Sequence, residues 1–256
     1  MKVPLFSLVP PELLKPVERF RSNDPPVERA YKNGRIQGEL AARALIEHYD
    51  ATHDDLTGLL NKKALKQDVA QRVEAAQNGS GSKEFGVFFA DITNFKKAND
   101  VLGHERVDRL LKEFAPRLNK ALRTKKDRDE HFVVPRNTTP DKLAHERLFE
   151  EVADEAGRYG GDEIAGAVDL TPTEEAGKAM SPQDRLYAVA TRVRDVFHEF
   201  ISEQELAVQT IGNDIAVGVS LYHDGMSAEQ LFSEADTDMS IRKNEQHAVL
   251  GKYRDT

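Results

Sequence analysis

"RYGGDEI", residues 158–164, sets two glycines directly before two acids and then returns to an apolar run, Ile164, Ala165, Ala167 and Val168. Gly-Gly is an accepted pair at the centre of a tight hairpin, where both residues take positive φ. Glycine also lets a ligand come close to the backbone. The stretch therefore predicts a hairpin with Gly160 and Gly161 at its tip and with Asp162 and Glu163 opening the returning strand. Successive strand residues face opposite sides, so one acid can share a side with other chemistry while its neighbour points elsewhere. Taken alone, the four residues read equally as a plain turn with solvated acids.

A second acid changes that reading. "FGVFFADI" (85–92) is too apolar for a surface strand, and it ends on Asp91 and Ile92. By itself Asp91 also reads as a helix-capping aspartate. Two carboxylates at the ends of neighbouring strands, however, can hold a hard divalent cation. Mg²⁺ takes carboxylate oxygens and completes its shell with phosphate oxygens and water. Asp91 and Asp162 are far apart in the chain, so only the fold can bring them together.

Helical patterns surround these two strands. "KKALKQDVAQRVEAAQ" (62–77) puts Leu65, Val69, Val73 and Ala76 on one face. "HERVDRLLKEFAPRLNKAL" (104–122) carries a stripe of Val107, Leu110, Leu111, Phe114, Leu118 and Leu122, with Pro116 inside it as a possible kink. Residues 181–201 form a third pattern, with Leu186, Val189, Val193, Val196 and Phe200 inward. "LAVQTI" (206–211) and "DIAVGVSLY" (214–222) read as strands, and "SAEQLFSEADTDMSIRK" opens on a capping box, Ser227 to Gln230. The order predicts an α/β (α+β) domain, a mixed or antiparallel sheet flanked by helices. Residues 1–50 are proline-rich and read as a short, partly helical N-terminal appendage. The main domain then spans 51–256, with a polar insertion at about 124–150.

Composition excludes several classes. The 256 residues are 39% hydrophobic and 31% charged, with a net charge of −8, which argues against nucleic acid as the partner. There is no cysteine, so disulfides, thiolate metal sites and cysteine nucleophiles are out, and the chain fits a reducing, cytoplasmic setting. No run is long and apolar enough to span a bilayer.

Four stretches, in order, resemble the motifs of GGDEF domains, the diguanylate cyclases. "DDLTGLLNKKAL" (54–65) is similar to D-x-L-T-G-L-x-N-R. "DITNFKKANDVLGHERVD" (91–108) resembles D-I-D-x-F-K-x-x-N-D-x-x-G-H-x-x-G-D. "RYGGDEI" resembles the signature itself, and the stretch ending at Lys243 resembles the closing L-x-x-A-D-x-A-L-Y-x-A-K helix. The resemblance implies a palm-like fold and the joining of two GTP into cyclic di-GMP by a homodimer. It implies that Asp91, the carbonyl of Ile92, Asp162 and Glu163 hold Mg²⁺ or Mn²⁺, with Glu163 assisting the metal or activating the 3′-hydroxyl. Lys96, Lys243 and the N–H groups of Asn94, Phe95 and Lys96 would hold phosphates, and Asn99 and Asp108 would read guanine. An aspartate can accept from guanine N1–H and its 2-amino group, donors that adenine lacks there.

The match departs from the family in places. Thr93 stands for a second aspartate, Val107 for the glycine before Asp108, Lys62 for an arginine, and Asp238 and Ser240 for Ala and Tyr. Gln246 and His247 replace a Gly-Arg pair, and the inhibitory R-x-x-D pattern reads "EVAD", with Glu151 in place of arginine. The departures keep two alternatives open. One is a degenerate domain that binds GTP or a partner without turnover. The other is a related nucleotidyl cyclase with a different product.

Overall fold

In the computed structural model, residues 49–122, 156–172 and 180–252 are described. In chain order the elements are β1 (Leu60–Asn61), α1 (Lys62–Gln77), β2 (Phe85–Ile92), α2 (Phe95–Leu102), α3 (His104–Leu122), β3 (Ala156–Arg158), β4 (Glu163–Asp169), α4 (Pro182–Ser202), α5 (Leu206–Gln209), β5 (Ile215–Leu221) and α6 (Ala228–Lys252). The strands form one five-stranded sheet in the order β1-β3-β4-β2-β5. The β1–β3 pair is parallel and the other three are antiparallel. This is the expected mixed, palm-like sheet flanked by helices. The insertion, Glu151, Asp154 and the appendage up to residue 48 lie outside the described residues.

Burial explains the layering. All eight residues of β2 are buried, as befits a central strand covered on both faces. Alternation sends Phe88, Ala90 and Ile92 into a core with Leu110, Phe114 and Leu118 of α3 and Leu186, Val193 and Phe197 of α4. Phe85, Val87 and Phe89 enter a second core with Leu65 and Val69 of α1 and Leu231 and Phe232 of α6. Gly218 on β5 brings α6 unusually close: a Cβ there would lie 2.0 Å from the Met239 nitrogen.

Local chemistry sets the helix ends. Asn61 accepts from the Ala64 N–H at the start of α1, and Ser181 accepts from Asp184 at the start of α4, with Pro182 following it. The capping box of α6 is formed in both directions between Ser227 and Gln230. Helix α3 continues through Pro116. On α4 the fully buried stripe is Leu186, Ala190, Val193, Phe197 and Phe200; Val189 and Val196 lie only partly buried beside it.

"LAVQTI" is not a strand. It makes one helical turn, with Gln209 and Thr210 donating to the carbonyls of Glu205 and Leu206. Val208 and Ile211 are buried while Leu206 is exposed, so the segment buries positions three apart, which suits a turn of helix and not a pleat.

Candidate active site

The hairpin between β3 and β4 is a four-residue loop, Tyr159 to Asp162, closed by Tyr159 N–H (2.8 Å) and Gly160 N–H (3.2 Å) on the Glu163 carbonyl. Neither Gly160 nor Gly161 takes positive φ, contrary to the expectation of a two-residue turn. The longer loop distributes the reversal over more residues and removes that demand. At Gly160 the absent side chain leaves room for the Glu163 carboxylate. A Cβ on Gly160 would lie 2.4 Å from Glu163 Oε2, whereas Gly161 has nothing within 4 Å and leaves the tip open to a ligand.

Arg158 fastens this tip to the start of the domain. Its guanidinium donates to the carbonyls of Gly160 (3.2 Å) and Gly161 (3.0 Å) and reaches the Asp54 carboxylate at 3.3 Å. Asp54 in turn accepts from the Thr57 N–H (2.9 Å) and hydroxyl (2.7 Å). Burial works to raise the Asp54 carboxyl, but the Thr57 hydrogen bonds and the Arg158 charge outweigh it and hold the group below its ordinary value. The sequence shows both residues but not their contact, which joins motifs about a hundred positions apart and exists only because β3 returns beside β1.

The acids are placed by the ladder. Ile92 N–H donates to the Asp162 carbonyl at 3.1 Å, so these two residues form a hydrogen-bonded rung. The next pair, Asp91 and Glu163, is therefore a non-bonded pair, in which opposed side chains stand closest. Both point to the α1/α6 side, Asp91 with Phe89 and Glu163 with Ala165. The acid beside Asp91 across the strands is thus Glu163, while Asp162 ends the loop one residue earlier. Burial first, then the charges of Asp162, Asp91 and Asp236, push the Glu163 carboxyl up, against a weaker pull from Lys62. Asp91 is buried, and Lys243 of α6 donates to its Oδ1 at 2.7 Å. Among the described residues, no group of three or more acids or histidines is already gathered around one cation position.

The other expected residues lie where β2 runs into α2 and α3. Asn94 takes φ 58°, the sole non-glycine in the left-handed region among the described residues, and its side chain donates to the Gly212 carbonyl at 2.7 Å. The first N–H groups of α2, on Phe95 and Lys96, precede any intrahelical acceptor. Lys96 is exposed at this helix start. Asn99 donates to the Phe95 carbonyl at 3.2 Å, and Asp108 is exposed in the first turns of α3, across the Gly103 turn from Asn99.

The buried Asp91 and the partly buried Glu163 at the ends of two central strands, the glycine tip and the start of α2 together mark the candidate site of this palm-like domain. The known proteins narrow this class. A family model described as "Diguanylate cyclase, GGDEF domain" matches residues 51–140, a stretch that ends before the signature hairpin. Diguanylate cyclase DgcS of Shewanella oneidensis is 29% identical over 186 residues, covering 73% of this chain and 47% of its own length. An uncharacterized protein of Mycobacterium tuberculosis is 31% identical over 160 residues, 59% of this chain and 25% of the relative. Among solved structures, a sensory box/GGDEF family protein from Caulobacter crescentus shares 27% identity with a TM-score of 0.51, covering 76% of this chain and 99% of that one. Over residues 51–140 the chain thus matches the GGDEF-domain model, and it shares the fold of solved GGDEF structures. It spans about a quarter of the length of the first curated relatives it matches. No helix among the described residues is long and apolar enough to cross a membrane.

Proposed function

We propose that this domain is a diguanylate cyclase, joining two GTP into cyclic di-GMP with release of pyrophosphate. The observation that carries the reading is the Asp91–Glu163 pair. Two carboxylates side by side at a buried strand end repel each other, and a divalent cation relieves that cost. The donor set, all oxygen, suits Mg²⁺ or Mn²⁺, with Asp91, the Ile92 carbonyl, Asp162 and Glu163 as the residues that would hold it. When bound, such an ion neutralises charge that develops on the transferred phosphoryl group.

The chain's own residues supply the rest. Lys96 and the first N–H groups of α2 would hold the phosphates. Lys243, now on Asp91, is within reach of the same place and would turn to a phosphate oxygen. Asn99 and Asp108 would orient guanine. Arg158 and Asp54 keep the tip carbonyls fixed while the open side of Gly161 admits the nucleotide. Each domain offers one such site, so the two GTP would be brought together by a homodimer. A GTP-consuming enzyme of this kind works in the cytoplasm.

Thr93 and Val107 favour a second reading, a domain that binds GTP without turnover. The deciding experiment incubates the pure protein with GTP and Mg²⁺ or Mn²⁺ and identifies products by mass. Cyclic di-GMP is expected. GTP binding with no product in either metal supports the binding domain, and a different cyclic or linear product supports a related nucleotidyl cyclase.

A further inference from the structure

The outer edge of the sheet carries a second feature. Tyr222 N–H donates to the Phe85 carbonyl (3.0 Å) and Thr93 N–H to the Asp214 carbonyl (2.8 Å), which sets the phase of the β2–β5 ladder. By alternation, Ile215, Val217 and Val219 turn their peptide groups to the outside. Among the described residues no strand pairs with β5 there. Such an edge is normally blunted, and α6 does this at two of the three positions. Asp238 accepts from Val219 N–H at 2.9 Å, and Gln246 donates to the Ile215 carbonyl at 3.4 Å.

At the third position, Val217, lies a cavity of about 330 Å³. It is lined by Tyr187, Ala190, Thr191 and Arg194 of α4, by Val217 and by Arg242 of α6. Arg242 is shared between Asp238 (3.0 Å) and the face of the Tyr187 ring (5.5 Å), so it bridges the two helices around the strand edge. Arg194 is half-buried and has no carboxylate partner among the described residues. Arg242, which lines the pocket, and its partner Asp238 both stand where the closing-helix motif has alanine.

We propose that this pocket binds a small oxyanion, a phosphoryl or carboxyl group. Its charged groups are two guanidiniums, and the hydroxyls of Thr191 and Tyr187 and the outward peptide N–H of Val217 can donate beside them, with the outward Val217 carbonyl as an acceptor. The nearest acid, Asp238, is already engaged twice. Planar guanidiniums match the two oxygens of a phosphate or carboxylate with paired hydrogen bonds. Of the two arginines, Arg242 already has Asp238, whereas Arg194 lacks a carboxylate partner among the described residues, and an oxyanion would supply its counter-charge. The volume lies at the small end of the range for ligand pockets. The site shares no residue with the proposed GTP site and does not depend on that reading.

The test titrates the whole protein, free of divalent metal, with inorganic pyrophosphate and separately with citrate, following the amide resonances of Val217 and Thr191. Saturable shifts with a Kd on the order of 1 mM or tighter are expected for at least one probe. Pyrophosphate alone points to a phosphoryl ligand, citrate alone to a carboxylate, and both to a general oxyanion site. Arg194→Ala and Thr191→Val, neither of which bears on the core, should each weaken binding, the first by about tenfold or more. Absence of saturable shifts with either probe, or shifts unchanged in folded Arg194→Ala protein, overturns the proposal.

Discussion

The hairpin end and the β2–α2–α3 end of the domain border one candidate site, but they keep the GGDEF motif pattern unequally. At the hairpin, Asp91, Asp162 and Glu163 are intact, and the ladder places them regardless of neighbouring side chains. At the other end two family positions have changed, and each new residue has a structural occupation. The Thr93 hydroxyl donates to the Asp214 carbonyl (3.1 Å) and accepts from the Asp214 N–H (3.0 Å). An aspartate in its place could accept but not donate. Val107 is buried in a small cluster with Ala98 and Ile211, a space a glycine would leave empty. The departures have therefore been absorbed into packing one strand's end away from the acid pair.

If the acids carry the chemistry, the largest effect lies at the hairpin end. Asp91→Asn and Asp162→Asn, which change charge and almost no volume, should each lower GTP turnover by about a hundredfold or more. Circular dichroism should show the fold retained. Turnover within a few-fold of wild type in either variant would break the assignment of that residue.

The changed end is tested by restoring the family residue. Thr93→Asp puts a carboxylate into a buried position (4% exposed) opposite the Asp214 carbonyl it can no longer serve. Denaturant unfolding should show a loss of roughly 1–3 kcal/mol. A stabilised variant with raised turnover would show instead that Thr93 impairs catalysis and that its hydrogen bonds are incidental.

The tie between Arg158 and Asp54 belongs to the hairpin end and has a smaller expected effect. A double-mutant cycle with Arg158→Ala and Asp54→Ala should give a coupling of about 1 kcal/mol, since the pair is only partly buried. KM for GTP should rise more than kcat falls, because the tie positions the tip and does not touch the reacting atoms. Strict additivity would mean the tip is held by the loop alone.

Much of this was readable beforehand, and for physical reasons. Phe85–Ala90 is apolar because both faces of β2 are covered, α1 and α3 carry helical stripes, and α6 opens on its capping box. β1 was not readable, since its two residues are a strand only because β3 lies beside them. Glu163 instead of Asp162 as the neighbour of Asp91 depends on the phase of one rung, set by the Ile92–Asp162 bond. A four-residue loop in place of a two-residue turn removed the need for positive φ that the glycine pair had implied. The Arg158–Asp54 contact is long-range, and local patterns carry no trace of it.

The smallest expected effect concerns Glu163 itself. In the folded protein its carboxyl is raised above the ordinary value, chiefly by burial and then by Asp162 and Asp91. The native state thus holds this proton more tightly than the unfolded chain does. The resulting stability is complete below the ordinary carboxylate range and is lost as pH rises through the raised folded value. At neutral pH the ionised group is therefore a local liability. Glu163→Gln removes it, so thermal melts without metal should show a small rise in Tm at pH 7.5 that disappears near pH ~4. Adding Mg²⁺ at neutral pH should close the gap from the other side, raising the Tm of wild type more than that of the variant, because the carboxylate that burdens the apo protein is one that the ion would use. A variant no more stable than wild type at pH 7.5 would show that Lys62 and Lys243 already compensate the acid pair, and the hairpin end would then be as settled without a cation as the β2–α2 turn.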